Sequence, residues 1–157
     1  MSALIKKIGD ISAWTGLLLV LLVSTNVLGR YLFSFGSVAL QELEWHAMAA
    51  IALLGMSYGM NQGAEVRVDI CYARFSPRLQ ALIDLVSACL MCAVSLVIAW
   101  LSIDFVANSY SINEGSPDPG GLGYRYVLKA LIPIAFILLA MQSLCMIANS
   151  FQRLKPA

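Results

Sequence analysis

Four long apolar stretches account for most of this 157-residue chain and constrain its fold more than any other feature. They cover approximately residues 11–33, 38–61, 79–103 and 124–151. A helix needs roughly 20 apolar residues to cross the hydrocarbon core of a bilayer. Because lipid offers the backbone no hydrogen-bond partners, a spanning segment must satisfy its own N–H and C=O groups, which favours helices. We therefore expect a single all-α integral membrane domain, residues 1–157, with four transmembrane helices.

The composition supports this class. Charged residues make up only 12% of the chain, whereas soluble domains contain about a quarter. A net charge of +1 without a basic tail gives no footprint for nucleic acid. The first stretch is longer than the apolar core of a secretory signal and no small-residue cleavage site follows it, so we expect it to remain as a span.

The basic residues are unevenly distributed around the four stretches. If all four cross the membrane, seven Lys and Arg residues lie on one side: Lys6, Lys7, Arg67, Arg74, Arg78, Arg153 and Lys155. Only three lie on the other side: Arg30, Arg125 and Lys129. Cytoplasmic loops carry the excess of Lys and Arg, so both termini are expected in the cytoplasm. Residues 65–70 alternate polar and apolar side chains, which fits either an extended loop or a segment lying along the headgroups.

Three glycines on the second stretch, Gly55, Gly59 and Gly63, are spaced four residues apart. Stacked small residues let another helix approach closely. A helix of this same chain is the preferred partner, and a helix of another chain is the alternative.

Charged residues gather at the ends of the stretches that are expected to face outward. Arg30 lies near the end of the first stretch, and Glu42 and Glu44 open the second. A charge at this depth is costly unless it is paired, so Arg30 is expected to pair with one of the two carboxylates, and the other would face headgroups or a partner. Glu42 and His46 share a helix face. A structural pair is preferred here over a proton or ion relay.

A second pair is expected where the third stretch ends and the fourth begins, between Asp104 and either Lys129 or Arg125. No ionisable residue lies at the centre of any stretch. Coupled transporters usually keep ionisable or unwound sites near the midplane, which argues against a self-sufficient ion-driven carrier.

Enzymatic, cofactor and metal chemistry find little support. Cys89 and Cys92 form a C-x-x-C in the middle of the third stretch, where a thiolate is poorly solvated, so both are interpreted as small core residues. His46 is the only histidine, and haem ligation by it is not favoured. We expect no catalytic, cofactor or metal site in this chain.

Several runs resemble one family in the right order along nearly the whole chain. These are the residues at 26–31, 41–46, 65–69, 76–78, 116–122, 124–126, 129 and 132–133. In sequence they read NVLGRY, QELEWH, EVRVD, SPR, SPDPGGL, YRY, K and IP. The combination resembles the small, DctQ-like membrane subunit of a tripartite ATP-independent periplasmic (TRAP) transporter.

The resemblance implies a division of labour in a bacterial inner membrane. A periplasmic binding protein delivers a carboxylate, and a large multi-span permease subunit holds the substrate and sodium sites and moves as an elevator. The small subunit is a non-catalytic scaffold beside it, in contact with lipid. The candidates for structural or partner contacts in this chain are Arg30, Glu42, Glu44, His46, Gly55, Gly59, Gly63, Asp104, Arg125 and Lys129.

The alternative is an independent small transporter that acts as a homodimer of four-helix chains. Such carriers resemble this chain in size, but they use an essential carboxylate within the first span, and the first stretch here has none.

Overall fold

The computed structural model describes residues 2–63 and 72–154. These residues form four α-helices: α1 (Ser2–Phe33), α2 (Val38–Asn61), α3 (Pro77–Ser111) and α4 (Arg125–Leu154). Within these two ranges there is no strand, so the all-α prediction is confirmed there. The segment at 65–70, interpreted as extended or interfacial, lies outside the described residues.

Local sequence signals explain where two of the helices begin. Ser76 caps α3 by accepting a hydrogen bond from the Leu79 N–H at 3.4 Å, and Pro77 occupies the first turn. Proline suits this position because its missing N–H would have no partner inside the helix. Ser37 caps α2 in the same way, with its side chain accepting from the Leu40 N–H.

Two helices are longer than the apolar pattern predicts. Helix α1 begins at Ser2 rather than near residue 11, and α3 continues to Ser111 rather than ending near residue 103. A helix of 35 residues is about 52 Å long at 1.5 Å per residue, well over the roughly 30 Å hydrocarbon core. It must therefore tilt or extend beyond the core. Helix α4 continues through Pro133.

Three of the four described helices are long and apolar enough to cross a membrane, within Lys7–Phe33, Pro77–Ser111 and Arg125–Leu154. Helix α2 is not among them, because Gln41, Glu42, Glu44 and His46 lower the hydropathy of its first turns. Whether α2 crosses the bilayer, and on which side the termini lie, stay predictions.

The helices pack in the spatial order α1, α2, α4, α3. Helix α2 packs on both α1 and α4, and α4 packs most extensively on α3. Among the described residues no comparable packing joins α1 to α3 or to α4. The two middle helices therefore hold the molecule together, and α1 and α3 form its edges.

The buried face of α3, which packs on α4 to form the α3–α4 seam, consists of small residues with a seven-residue repeat. On α3 the buried residues are Ala81, Ala88, Cys92, Ser95, Ala99, Ser102 and Ser109. The buried residues of α4, which packs on both α2 and α3, are Ala135, Leu138, Leu139, Ala140, Gln142, Ser143 and Ser150. A seven-residue repeat keeps one face toward a neighbouring helix, and small side chains allow close approach in a membrane. Two of these buried serine hydroxyls donate back to their own helices, Ser102 to Ile98 O at 2.6 Å and Ser143 to Leu139 O at 2.8 Å.

The glycines of α2 do not lie in such a seam. A Cβ atom built at Gly55, Gly59 or Gly63 would meet no atom of the described chain within 4 Å. Close packing of these glycines within this chain, the preferred interpretation of their spacing, is therefore wrong for the described residues. Helix α1 instead approaches α2 at Gly9, where the Tyr58 ring occupies the space that a Cβ would fill.

Candidate functional site at the helix ends

The connection between α3 and α4 folds into a compact loop at 112–124. The Ser116 N–H donates to Leu122 O at 2.9 Å, and the Gly121 N–H donates to Asp118 O at 3.0 Å. Gly120 has a φ of +80°, a left-handed conformation that glycine adopts without steric cost. The Arg125 N–H then donates to Glu114 O at 3.0 Å, which closes the loop against the first residue of α4.

The Glu42 carboxylate of α2 holds this loop. Glu42 is only 2% exposed and accepts hydrogen bonds from Ser116 Oγ at 2.5 Å, Leu122 N at 2.6 Å and Arg125 Nη2 at 3.0 Å. A buried charge is tolerated only when it is paired and hydrogen-bonded. A side chain at Gly121 would overlap with Ser116 and with Glu42 Oε2. The cluster thus ties the start of α2 to the loop and to the start of α4.

A second carboxylate, Glu114, anchors the other end of the loop. It accepts hydrogen bonds from Lys129 Nζ and from Ser109 Oγ, the latter at 2.6 Å. The Lys129 ammonium also lies 4.1 Å from the centre of the Phe105 ring, a favourable cation–π geometry. The hydrogen bond from Lys129, followed by that from Ser109, lowers the pKa of Glu114 below its ordinary value. The carboxylate is therefore held in its ionised form.

The structure corrects both expected ion pairs. Arg30 is exposed and has no carboxylate partner among residues 2–63 and 72–154; of its two expected partners, Glu42 binds Arg125 and Glu44 binds Asn26. Asp104 is likewise exposed and unpaired in the described ranges, and Lys129 binds Glu114. The reason is geometric: the folded loop brings its own donors and Glu114 to the helix ends, and Asp104 points away from the α3 face that contacts α4.

Glu44 points to the opposite side of α2 from Glu42 and meets α1. Its Oε1 accepts a hydrogen bond from Asn26 Nδ2 at 2.7 Å. Asn26 is 5% exposed, and its Oδ1 atom is buried without a hydrogen-bond partner. No cation pairs with Glu44 in the part of the chain that the structure describes. This polar contact is incomplete, which is rare for buried groups.

His46 lies between α2 and α4. Its Nδ1 is 2.6 Å from the Glu42 backbone oxygen, and because a carbonyl only accepts, we assign the proton to Nδ1. His46 shares the face of Glu42, as predicted, but contacts its backbone rather than its carboxylate. It borders two clefts between these helices, of about 460 and 350 Å³. The smaller one is lined by Glu42, Trp45, His46, Ala49, Arg125, Leu128 and Lys129.

Three further contacts lie away from the loop at 112–124. Asn61 Nδ2 of α2 donates to Gln142 Oε1 of α4 at 3.2 Å. Asp84 of α3 accepts from the Tyr72 hydroxyl at 2.8 Å and lies 3.8 Å from Arg153 Nη1 of α4. Both ends of α4 are thus bonded to neighbouring helices.

The two cysteines of the C-x-x-C have different surroundings. Cys92 is buried in the α3–α4 seam, as a small core residue should be, whereas Cys89 is exposed. The core interpretation is therefore wrong for Cys89, because it lies outside the buried heptad positions.

Sequence reasoning did not single out Ser116, Leu122 and Glu114 as binding partners. Ser116 is 74 residues from Glu42 in sequence, and no local pattern links positions so far apart. The dense Pro and Gly run around Ser116 was the one available signal that this loop has a defined conformation.

The fold and these contacts define a multi-pass α-helical membrane protein whose buried ionisable groups are bonded mainly to its own chain. The family model of the DctQ component of tripartite ATP-independent periplasmic transporters matches residues 19–153. The chain belongs to this family, and the resemblance in its sequence is confirmed. The chain is thus a small membrane component of a transporter rather than a member of an enzyme family. In this family the small component works with a large permease and a periplasmic binding protein. Comparison with curated proteins gives no match.

Proposed function

We propose that this chain is the fixed, non-catalytic small permease subunit of a binding-protein-dependent importer of carboxylates. An ion gradient, with sodium as the expected coupling ion, drives the import. The chain supports a large subunit that carries the substrate and ion sites and moves as an elevator in the bacterial inner membrane. The observation that carries this proposal is the family match over residues 19–153.

The geometry of the ionisable residues supports a scaffold. Glu42 and Glu114 are occupied by donors from their own loop and helices. The buried positions of α3 and α4 hold alanine, serine, leucine, glutamine and cysteine, with no charged residue among them. A transport pathway for a charged substrate needs polar or ionisable groups at membrane depth. The described residues therefore fit a structural support for the large subunit better than a transport pathway for a charged substrate.

The bonds at the helix ends support a subunit that stays still. The loop at 112–124 is bonded to α2 through Glu42 and to α4 through Glu114 and Lys129. The other end of α4 contacts Asp84 of α3. A scaffold that holds its shape lets a neighbouring domain move relative to the membrane.

The first test is recovery of the tagged chain from its native membrane in a gentle detergent, with mass spectrometry of the proteins that accompany it. The proposal expects a stoichiometric large multi-span permease. Recovery of the chain alone as a stable homodimer would contradict the proposal and favour the independent transporter.

The second test is uptake into proteoliposomes. We expect carboxylate uptake to require the binding protein, the large subunit, this chain and an inward sodium gradient. Uptake that persists at the full rate when this chain is omitted would contradict its role as a required support. The isolated chain is expected to bind neither substrate nor sodium in calorimetry, and binding of either would contradict the scaffold.

A further inference from the structure

One face of α2 is only partly covered by the helices of the described chain: Glu44 meets Asn26 of α1, whereas Met48 and Ala52 are exposed. Glu44, Met48, Ala52, Gly55 and Gly59 recur at intervals of three or four residues, so they lie along one side of the helix. We call this line of residues the open strip. It runs beside α1 and on the side of α2 away from the two clefts shared with α4.

The glycines of the open strip leave a shallow groove. Neither Gly55 nor Gly59 has a described atom within 4 Å of the position where a Cβ would stand. Met48 is 58% exposed next to it. Glycine inside a helix lowers its stability by roughly 0.5–1 kcal/mol relative to alanine, and in membranes close helix packing is the usual compensation. That compensation is not provided by the described part of this chain.

The other end of the open strip carries an incomplete polar contact between Glu44 and Asn26. The Glu44 carboxylate receives one hydrogen bond, from the nine-tenths-buried Asn26, and the Oδ1 atom of that asparagine has no partner. Glu44 lies six residues after the start of α2 at Val38, roughly 9 Å along the axis. A charged acceptor and a buried orphan acceptor thus meet where no cation of the described chain reaches them. Both need a donor.

We propose that the open strip is the docking surface for a transmembrane helix of the large permease subunit, which brings a positively charged or hydrogen-bond-donating side chain to Glu44. The inference rests on the proposed function, since it takes the permease as the partner. The backbone of the permease helix would approach at Gly55 and Gly59, and the donor side chain of that helix would complete the contact of Glu44 and Asn26.

Charge decides against a second copy of this chain as the occupant. Two copies in one membrane share their orientation, so a two-fold dimer would place the same strip against itself. The Glu44 carboxylates would then face each other, and like charges in contact are destabilising. An acyl chain would also fill the groove, but it supplies no donor to Glu44. A helix with a donor satisfies both ends of the strip.

Photo-crosslinking in the assembled transporter tests the surface directly. A photoreactive amino acid is placed at Ala52, in the open strip, or at Ala50, which lines the larger cleft with α4. The two positions have nearly the same depth and opposite faces. We expect the crosslink to the permease at Ala52 to exceed that at Ala50 about tenfold. A crosslink at Ala52 to a second copy of this chain, or to lipid alone, would overturn the inference.

Bulky substitutions give an independent readout. Gly55→Leu should reduce co-purification of the permease about tenfold, the ratio that ~1.4 kcal/mol of lost interaction produces. Gly16→Leu is the matched control, because Gly16 of α1 also has an open Cβ position and lies off the strip. We expect the control to keep the wild-type recovery. Equal recovery of the permease with both variants would overturn the inference.

The role of Glu44 is tested by charge reversal. Glu44→Lys should lower permease recovery more than Glu44→Gln, because a neutral amide still offers an acceptor. Equal recovery with both variants would remove the donor from the proposal.

The controls distinguish a failure of the proposed function from a failure of the docking surface. If the wild-type chain recovers no permease, the proposed function fails. If it recovers the permease while the Gly55 variant and the Ala52 crosslink behave as their controls, only the docking surface fails.

Discussion

This molecule has two helix faces made of small residues, and one of them is buried while the other is open. The heptad face of α3, including Ala88 and Ser95, is buried to within 1% of full coverage at those positions by packing in the α3–α4 seam. The glycine face of α2 at Gly55 and Gly59 meets no other described residue. Both carry the residue types that allow close helix approach. Small residues therefore predict that a helix comes close, and they do not say to which chain that helix belongs.

The same contrast extends to the charges. On the α4 side, Glu42 accepts three hydrogen bonds, one of them from Arg125, and Glu114 accepts two, one of them from Lys129. On the α1 side, Glu44 has only Asn26, and Arg30 has no ion-pair partner in the described ranges. The α4 side also has buried polar atoms without a hydrogen-bond partner, Ser95 Oγ and Arg125 Nε, so the two sides differ in whether their carboxylates are paired with a cation.

Filling the closed seam should be the most damaging change. Ala88→Leu places a bulky side chain where Ala88 is 1% exposed, and overpacking of this kind costs about 3 kcal/mol. Unfolding in detergent, followed by circular dichroism, measures the loss. Cys89→Leu is the matched control, since the neighbouring Cys89 is exposed and should change stability by less than about 0.5 kcal/mol. Equal effects of the two variants would contradict a closed seam.

Removing one donor from the buried carboxylate should be the next largest change. Ser116→Ala deletes the hydroxyl that donates to Glu42, and a hydrogen bond to a charged group contributes about 1.5–3 kcal/mol. Thermal unfolding of the purified chain measures the effect. Ser111→Ala serves as control, because that exposed hydroxyl only donates to the Asn108 carbonyl. An unchanged unfolding temperature for Ser116→Ala would mean that the hydrogen bond from Ser116 to Glu42 does not hold the loop.

Acid should weaken the second anchor of the loop. Because the Lys129 hydrogen bond lowers the pKa of Glu114 from its ordinary 4.5, its ionised form contributes stability above pH 4.5, and this stability is lost as the pH falls through the lowered folded-state pKa. The wild-type protein should therefore melt above Glu114→Gln near neutral pH, and the difference should shrink at pH values below 4.5. A difference that does not depend on pH would exclude the ionised carboxylate as its source.

Filling the open face should leave the isolated subunit intact. Gly59→Leu meets no described atom within 4 Å, so stability should stay the same or rise by up to about 1 kcal/mol from improved helix propensity. Thermal unfolding of the isolated chain provides the measurement. A loss as large as that expected for Ala88→Leu would show that this face is covered within the chain.

The smallest effect is expected at Arg30. The exposed Arg30 side chain has no carboxylate partner in the described ranges, so Arg30→Ala should change stability by less than about 0.5 kcal/mol. Arg125→Ala, which leaves Glu42 without its cation, is the contrasting variant in the same unfolding assay. A larger loss at Arg30 than at Arg125 would reverse the assignment of the ion pair.

The sequence predicted the helices well and their side-chain partners poorly. Apolar length placed α2 at 38–61, in agreement with Val38–Asn61, and placed the start of the third stretch at residue 79, two residues after α3 begins at Pro77. The apolar pattern underestimated the lengths of α1 and α3, because the extra turns of these helices are not continuously apolar. Close packing along the alanine and serine heptad of α3 was not predicted, because small residues allow a close approach without specifying which helix makes it.

What the sequence alone determined is the class of protein: apolar length and low charge leave a multi-helix membrane chain, and the order of its short motifs indicated the DctQ family. Only the tertiary structure decided which charges meet. The Glu42 carboxylate finds Ser116, Leu122 and Arg125 at sequence separations of 74 to 83 residues. The physical reason is that helix formation and membrane partition depend on neighbouring residues, whereas an ion pair depends on how distant segments close around it.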